Sequence, residues 1–457
     1  MNPPFFKLWR NFQASYWFVP SIMVVLAILL GAGAIWLDSG PTAGLFDGLG
    51  WYQQSKPDGA REVLSTIAGS MITVAGVVFS ITIVAISFAA NQYGPRILTN
   101  FMGDRGNQIT LGTFIATFVY SVVVLRTIYS GDEEFVPQLA VMIALLLALC
   151  SIIVLIYFIH HVPESIHINT ITSSVGKLLI RSIDKRFPAR FGDPPEHSAA
   201  QEEDLRKLAQ AAFARDSEVK TVESSANGYV QLIDESHLLS CAREHGLIVS
   251  IKLAPGEFAY CGRAVALVAS KNGLDEKAEK AIRDSWAVGS SRTPGQDLLF
   301  LIDELVEVAA RALSTGVNDP YTAMTCLDWL TAAAAELARR QPASPYRVDD
   351  DGNLRVVAPT GSFALYLQRG FGRLQPYFAA DANAAAHFLS QLASLSEQCR
   401  SVEQIEAVDI QAEALLGLAR RELHGASLDR IEKEADTTGQ ATAAARTRLS
   451  KRSAGGR

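Results

Sequence analysis

The chain has 457 residues, of which 49% are hydrophobic, and its mean hydropathy is positive. This length suffices for two or three domains, and the apolar excess indicates that part of the chain lies in a membrane. The formal net charge is -6 and the sequence contains no basic patch interleaved with aromatic residues, so nucleic acid is not an expected partner.

Four apolar segments in the first third of the chain approach or exceed the length of about 20 residues that a membrane-crossing helix requires. They are residues 17–37, 66–90, 109–129 and 136–159. The third carries Arg126 near its end, where we expect the guanidinium to extend to the lipid headgroups. The sequence therefore predicts four transmembrane helices within residues 1–162, with the lipid bilayer as a partner.

Basic residues in the short flanks of these segments predict the orientation, because loops rich in Lys and Arg remain in the cytoplasm during insertion. Basic residues precede the first segment and follow the fourth, whereas the opposite side offers only Lys56 and Arg61 and an acidic turn at residues 131–134. Both termini are therefore expected to be cytoplasmic. The first segment lacks a good cleavage pattern for a signal peptide, so we expect it to be retained.

The second segment carries a regular stripe of small and polar residues, at spacings of three, four and seven. They are Thr66, Gly69, Thr73, Gly76, Ser80, Ser87 and Asn91. This spacing places all of them on one face of an α-helix. Small residues allow helix backbones to approach closely, and hydroxyls repeated around an oligomer axis line a polar path. The stripe predicts a face that meets something other than lipid, and the sequence leaves helix packing and pore lining open.

After the fourth segment, residues 163–225 predict an amphipathic helix at the inner membrane surface, followed by a polar linker that includes one helix. Residues 226–270 change to strand periodicity, with alternating apolar positions between Leu247 and Leu253 and a turn at Pro255-Gly256. This order of strands and turns is similar to half of a barrel-sandwich domain, so we predict a small β-barrel-like module there.

The remaining sequence returns to helical periodicity. Residues 271–426 predict a helical cytoplasmic domain, and residues 427–457 are charged and almost free of large apolar side chains, which predicts a disordered tail. The predicted fold class is thus a membrane α-helical domain of four transmembrane helices, joined to a cytoplasmic α+β region with a β-barrel-like module and a helical domain.

Candidate ligand-binding residues lie at the start of two predicted helices. Arg292 and Gln296 stand in a polar segment where an arginine and free backbone amides can hold an anion. Asn318 and Asp319 precede Pro320, which supplies an N-cap acceptor and a proline at the first helical position. Ordinary helix capping explains the same residues, so the sequence leaves ligand binding and capping open.

The sequence favours no enzyme activity, metal or cofactor. It contains no HExxH, no GxSxG, no Walker loop and no GxGxxG motif after a strand. His160, His161 and His167 form a cluster, but only Glu164 stands near them as a further ligand, and the five cysteines include no CxxC pair.

Several motifs together resemble the bacterial predicted membrane proteins of domain-of-unknown-function family 2254. They are Gly69-Ser70-Met71, the stretch from Phe88 to Arg96, His160-His161-Val162-Pro163, Pro255-Gly256-Glu257-Phe258 and the stretch from Ala309 to Ala323. The resemblance covers nearly the whole chain except the C-terminal tail. It implies a bacterial inner-membrane protein and no particular reaction. Thr315 stands where a proline is expected in that family, which affects only the local turn.

Two functional hypotheses follow from these predictions. In the first, the protein is a homo-oligomeric channel or channel-like protein in which the second segment faces the symmetry axis. The stripe contains no acidic or basic ring, so a weak ion preference is expected. In the second, the four segments pack as a closed bundle and the protein is a membrane-anchored sensor or scaffold, whose cytoplasmic domain binds a ligand or a protein partner.

Overall fold

The computed structural model describes residues 17–39, 56–94, 104–129, 135–187, 197–214, 218–270 and 273–455. These residues divide into two compact units, with the division between Ile171 and Thr172. We refer to them as the N-terminal unit and the C-terminal unit.

The N-terminal unit contains four helices that are long and apolar enough to cross a membrane. They are α1 (Phe18–Ser39), α2 (Pro57–Tyr93), α3 (Arg105–Leu125) and α4 (Gln138–Ile166). Four apolar helices are thus confirmed, although α2 is much longer than the predicted segment. It begins at Pro57, whose fixed φ suits the first helical position, and continues through two polar turns before the apolar stretch.

Helix α3 is central in this unit, because it packs against α1, α2 and α4. Its large side chains Phe114, Tyr120 and Val124 are buried, and the Tyr120 hydroxyl donates a hydrogen bond to the carbonyl of Ala140 at 3.0 Å. Gly112 permits the close approach of α1, since a Cβ there would lie 2.5 Å from the sulfur of Met23.

Side-chain contacts tie the helix ends together. The carboxylate of Asp38, at the end of α1, accepts hydrogen bonds from the backbone N–H groups of Leu139 and Ala140 at the start of α4. Arg61 in the second turn of α2 donates to the carbonyl of Ile128 at 2.7 Å. The unpaired amides of a helix N-terminus favour a carboxylate in this position, so Asp38 stabilises the start of α4.

The C-terminal unit begins within α5 (Ile168–Arg186), which follows α4 after the single residue His167. The apolar face of α5 was predicted to lie on the membrane surface. In the structure Val175, Leu179 and Ile183 are instead buried within the C-terminal unit, and Gly176 lies against the indole of Trp329. The amphipathic pattern alone does not distinguish a helix on a lipid surface from a helix packed on a protein core, because the apolar face is buried in both cases.

The strands of the C-terminal unit form two open sheets. The elements of this part are α6 (Ala199–Ala212), β1 (Val219–Glu223), β2 (Gly228–Ile233), α7 (Glu235–Glu244), β3 (Ile248–Ile251), β4 (Phe258–Ala259), β5 (Ala264–Ala269), α8 (Glu276–Asp284), β6 (Trp286–Gly289), β7 (Tyr346–Val348) and β8 (Leu354–Val357). One sheet has the order β1-β5-β3-β8-β7 and the other the order β4-β2-β6.

The predicted β-barrel-like module is not confirmed, since the described strands do not close into a barrel. Strands from outside residues 226–270 take part in both sheets: β6 pairs with β2, and β8 pairs in parallel with β3 through Val249 and Val356. Such long-range pairing has no local signal in the sequence, whereas the Pro255-Gly256 turn does, and Gly256 adopts a φ of 90° that favours glycine.

The helical part consists of α9 (Leu298–Ala312), α10 (Pro320–Ala338), α11 (Phe363–Leu367), a π-turn (Gln368–Gly372), α12 (Arg373–Phe378), α13 (Ala382–Gln398), α14 (Val402–Glu422) and α15 (Ala426–Gly455). The prediction of a disordered tail at residues 427–457 is wrong for all but the last two residues, which lie outside the described part of the chain. Helix α15 packs against α13 and α14. Ile431, Thr438 and Ala445 are buried there, and the small side chains of Thr438 and Ala445 allow the helices to pack closely.

Candidate functional site

The polar stripe of α2 lies on the exposed face of the helix. All seven stripe residues, from Thr66 to Asn91, are exposed in the chain. The buried residues of α2 lie on the opposite side, as the helical period of 3.6 residues requires. They include Leu64, Ala68, Ala75, Val78, Thr82, Ala85 and Ala89. The chain therefore buries the apolar side of α2 and leaves the stripe exposed.

The glycines of the stripe are not used for packing within the chain. Among the residues that the structure describes, no atom lies within 4 Å of a Cβ added to Gly69 or Gly76. The hydroxyl of Thr73 donates to the carbonyl of Gly69 at 2.8 Å, which satisfies it within its own helix. Close packing of the four helices of one chain thus does not account for the stripe.

The polar residues buried inside the N-terminal unit lie mainly on α3, which the sequence analysis did not single out. Thr117 of α3 and Ser151 of α4 share a hydrogen bond of 3.1 Å, and Thr110, Thr117 and Ser121 are buried. Asn107 is also buried, and its amide has no hydrogen-bond partner among the described residues. These α3 positions have spacings of three, seven and four, so the same signal that marked α2 was present there.

A histidine and a carboxylate meet where α3 begins. Asp104 accepts from the backbone N–H of Gly106 at 2.8 Å, and its other oxygen lies 2.6 Å from Nε2 of His161. The imidazole stacks on the ring of Tyr157, with 5.0 Å between the ring centroids. This contact fastens the start of α3 to the end of α4. His160 is exposed, and no group of three His, Cys, Asp or Glu residues in the described ranges is placed to hold a metal ion.

Arg292, predicted as an anion ligand, is held by two buried carboxylates. Its guanidinium lies 2.7 Å from Asp297 and 2.6 Å from Asp303, over the ring of Phe300. Asp303 also receives two hydrogen bonds of 2.6 Å from Arg369. Burial alone would raise the pKa of Asp303, but the hydrogen bonds and charges of Arg369 and Arg292 outweigh it and lower that pKa. These pairs are a rigid internal network that joins α9 to the π-turn.

The other three candidate ligand residues also have structural partners. The Gln296 amide accepts from the backbone N–H of Ile233 at 2.8 Å and donates to its carbonyl at 3.0 Å, which fixes the loop to β2. Asp319 caps α10 through the N–H of Thr322 at 3.1 Å, and Asn318 adopts a φ of 51° in the preceding turn. The structure brings Arg292 and Gln296 into one loop and places Asn318 and Asp319 in the α9–α10 turn. Ligand binding by these four residues stays a prediction.

A cavity of about 430 Å³ lies within the C-terminal unit, between the end of α5, the start of α7, strands β3 and β8, and the loop after β8. Its wall carries three basic side chains, Lys185, Arg186 and Arg347, and one acidic side chain, Glu235. Of the predicted ligand residues only Gln296 lines it. Sequence analysis missed the cavity because its residues come from distant segments, between positions 185 and 361, and share no local motif.

Comparison with known proteins gives a match along most of the chain. Residues 13–394 match the family described as predicted membrane protein (DUF2254). Uncharacterized proteins of Mycobacterium bovis and Mycobacterium tuberculosis are 30% identical to this chain over 421 residues, which cover 90% of this chain and 77% of each relative. No solved structure matches the chain.

Proposed function

We propose that this chain, which belongs to the predicted membrane protein family DUF2254 as its sequence motifs predicted, is an oligomeric, channel-like protein of the bacterial inner membrane. In this proposal the four apolar helices cross the bilayer, both termini lie in the cytoplasm, and α2 of each subunit faces the symmetry axis. The C-terminal unit is then cytoplasmic.

One observation carries this proposal: the small and polar stripe of α2 is exposed, opposite the buried face of the helix. Exposed positions of α4 show what a lipid-facing surface of this protein contains, since Leu146, Leu149 and Ile153 are large and apolar. Glycines and hydroxyls facing lipid would gain no packing, whereas they allow close approach of an equivalent helix from a second subunit. The proposed occupant of this face is therefore a second copy of the chain.

The length of the stripe favours a continuous axial path over a local contact. From Thr66 to Asn91 it extends about 38 Å at the helical rise of about 1.5 Å per residue, which exceeds the hydrocarbon thickness of about 30 Å. A point of helix contact requires only one or two small residues, as in the GxxxG motif. A face that is small and polar across the whole membrane suits a surface that lines or closes a path.

The start of α2 adds charge to the same face. Asp58 and Glu62 precede the stripe at helical spacing and are both exposed. In an oligomer around α2 they would form acidic rings at one mouth of the path, which attract cations. This refines the weak ion preference expected from the apolar segment alone, because the structure extends α2 by nine residues before Thr66.

Flux measurements on purified protein in liposomes test the proposal. Ser80→Leu is expected to abolish ion flux, because a large apolar side chain would enter the path, while the protein still inserts. Cys150→Leu is the matched control, since Cys150 is an exposed small residue on α4 and its replacement adds the same side chain. Equal flux from both variants would contradict the proposal.

A second candidate function is a membrane-anchored sensor or scaffold whose cytoplasmic part binds a ligand or a protein partner. The cavity of the C-terminal unit favours it, since a volume of about 430 Å³ falls within the range of small-molecule sites. The exposed stripe argues against the closed four-helix bundle that this hypothesis first assumed. The two candidate functions are compatible, because they concern different units.

A further inference from the structure

The wall of the cavity in the C-terminal unit carries both charged and apolar side chains. We propose that this cavity binds a small organic anion, with a carboxylate or phosphate head group and an apolar body. This inference rests on the second candidate function, for which it names the ligand class, and it does not depend on whether α2 lines a path.

The charges of the wall favour an anion. Lys185, Arg186 and Arg347 line the cavity together with the single carboxylate of Glu235, which leaves an excess of two positive charges. Guanidinium and ammonium groups recognise carboxylates and phosphates through charge-assisted hydrogen bonds, which are stronger than those between neutral groups. A cation would be repelled by the excess positive charge, and a neutral ligand would leave that charge uncompensated.

Both arginines are oriented before a ligand arrives. Arg186 donates from Nη1 to the carbonyl of Gln296 at 2.8 Å, and Arg347 donates from Nη1 to the carbonyls of Ser344 and Tyr346. A guanidinium carries five N–H donors, so these contacts fix the group and leave donors for an anion. Preorganised groups cost less entropy on binding than mobile ones.

Apolar side chains in the same wall accommodate an apolar body. Leu238 and Leu239 of α7, Ile251 of β3 and Val356 of β8 line the cavity, together with Phe187. A hydrated inorganic anion would gain nothing from these side chains, whereas an alkyl or aryl group would remove them from water at roughly 25 cal/mol per Å² of apolar surface. The wall therefore predicts an amphiphilic ligand rather than inorganic phosphate.

Two basic side chains of the site lie on the helix that follows the fourth candidate span in the chain. Lys185 and Arg186 lie in the last turn of α5, and α5 is separated from α4 only by His167. Arg340, which is buried, further holds α5 in place through the carboxylate of Asp184 and the carbonyl of Phe187. A ligand in the cavity thus contacts the end of the first helix that follows the fourth candidate span in the chain.

Calorimetric titration of the full-length protein in lipid nanodiscs tests the inference. The probes are 4-phenylbutyrate, phenyl phosphate, the uncharged 4-phenylbutyramide and inorganic phosphate. Both organic anions are expected to bind once per chain, and the amide and inorganic phosphate at least tenfold more weakly. Lys185→Gln is expected to weaken the anions at least threefold, and Arg347→Gln at least tenfold.

Two further variants control the titration. Lys277→Gln removes an exposed lysine of α8 that does not line the cavity, and it should leave all affinities unchanged. Ala358→Trp should abolish binding by filling the cavity. The inference is overturned if the amide binds as tightly as the anions, or if Lys185→Gln and Arg347→Gln bind like the parent. Silence of all four probes would also overturn it, and neither result would contradict a sensor or scaffold that binds a protein partner.

Discussion

The hydroxyl oxygens of Thr117 in α3 and Ser151 in α4 lie 3.1 Å apart, in a hydrogen bond that is buried in the N-terminal unit. This bond shows where the unit uses polar residues to hold its helices together. They lie on α3, which contacts all three other helices, and not on the stripe of α2. The two polar faces thus have different environments although both follow helical spacings of three, four and seven.

The first prediction concerns this bond. Thr117→Val keeps the shape of the side chain and removes the hydroxyl, so the free energy of unfolding should fall by about 0.6 kcal/mol and by no more than about 2, the range of hydrogen bonds between membrane helices. Unfolding with sodium dodecyl sulfate measures the loss. Thr73→Val on the exposed stripe makes the same change and should leave the unfolding of the single chain unaffected. A larger loss from Thr73→Val would place the stripe, not α3, inside the bundle.

The second prediction separates the stability of the chain from that of the oligomer. Gly76→Ala adds a methyl group where no described atom lies within 4 Å, so the helix should gain up to about 1 kcal/mol in stability. The same methyl group would separate two α2 helices in contact, and the oligomer should dissociate more readily. Native mass spectrometry and unfolding measure the two effects. Gly33→Ala, at an equally open position of α1, should stabilise the chain and leave the oligomer intact.

The third prediction tests the acidic end of α2. Glu62→Gln removes a negative charge from the mouth of the proposed path, so the ratio of cation to anion permeability in liposomes should fall without loss of total flux. Glu164→Gln neutralises an exposed carboxylate near the end of α4, away from the α2 face, and should leave the ratio unchanged. An unchanged permeability ratio in Glu62→Gln would contradict the proposed acidic ring.

The fourth prediction concerns Asp303 of the C-terminal unit. Asp303→Asn leaves Arg292 and Arg369 without their shared carboxylate, and removing one member of a buried ion pair costs about 3 kcal/mol or more. Chemical unfolding is expected to show this loss. Glu432→Gln breaks the exposed pair with Arg420 and should cost no more than about 1 kcal/mol. Equal effects of the two variants would mean that the network of Asp303 contributes no more than a surface pair.

The same network predicts a pH dependence. The pKa of Asp303 is lower in the folded protein than its unfolded value of about 3.9. Its ionised form therefore stabilises the fold fully above that value, and the contribution is lost as the pH falls toward the folded pKa. Unfolding midpoints measured between pH 6 and pH 3 should fall more steeply for the parent than for Asp303→Asn. Parallel curves would contradict the assignment of this acid sensitivity to Asp303.

Hydropathy was sufficient to predict the four apolar helices, because each is a long run of apolar residues that is visible in the local sequence. The stripe was equally visible in the sequence. The sequence did not show which polar face is buried. Thr66 on α2 and Thr110 on α3 lie in similar patterns, and only tertiary packing distinguishes them. Local turns such as Pro255-Gly256 could also be predicted, because the residues that form a turn are neighbours in the sequence.

Long-range relationships could not be predicted. The parallel pairing of Val249 with Val356 and the cavity between α5 and β8 join residues more than 100 positions apart. Arg292 was recognised as an anion-binding group, but its anions are the chain's own Asp297 and Asp303, which lie 5 and 11 positions away. Helix α15 was missed because most of its buried positions, Thr438, Thr442 and Ala445, carry little hydrophobic signal.

Cysteine cross-linking across the α2 face tests the central claim most directly. In a background of Cys150→Ala and Cys261→Ser, which removes the exposed cysteines among the described residues, Ser80→Cys and Ile153→Cys introduce single exposed thiols on α2 and α4. Oxidation in membranes is predicted to link two copies of the chain efficiently through Ser80→Cys and not through Ile153→Cys. Absence of linked chains from Ser80→Cys, or equal linking from both variants, would contradict the claim that α2 faces its equivalent in a second subunit.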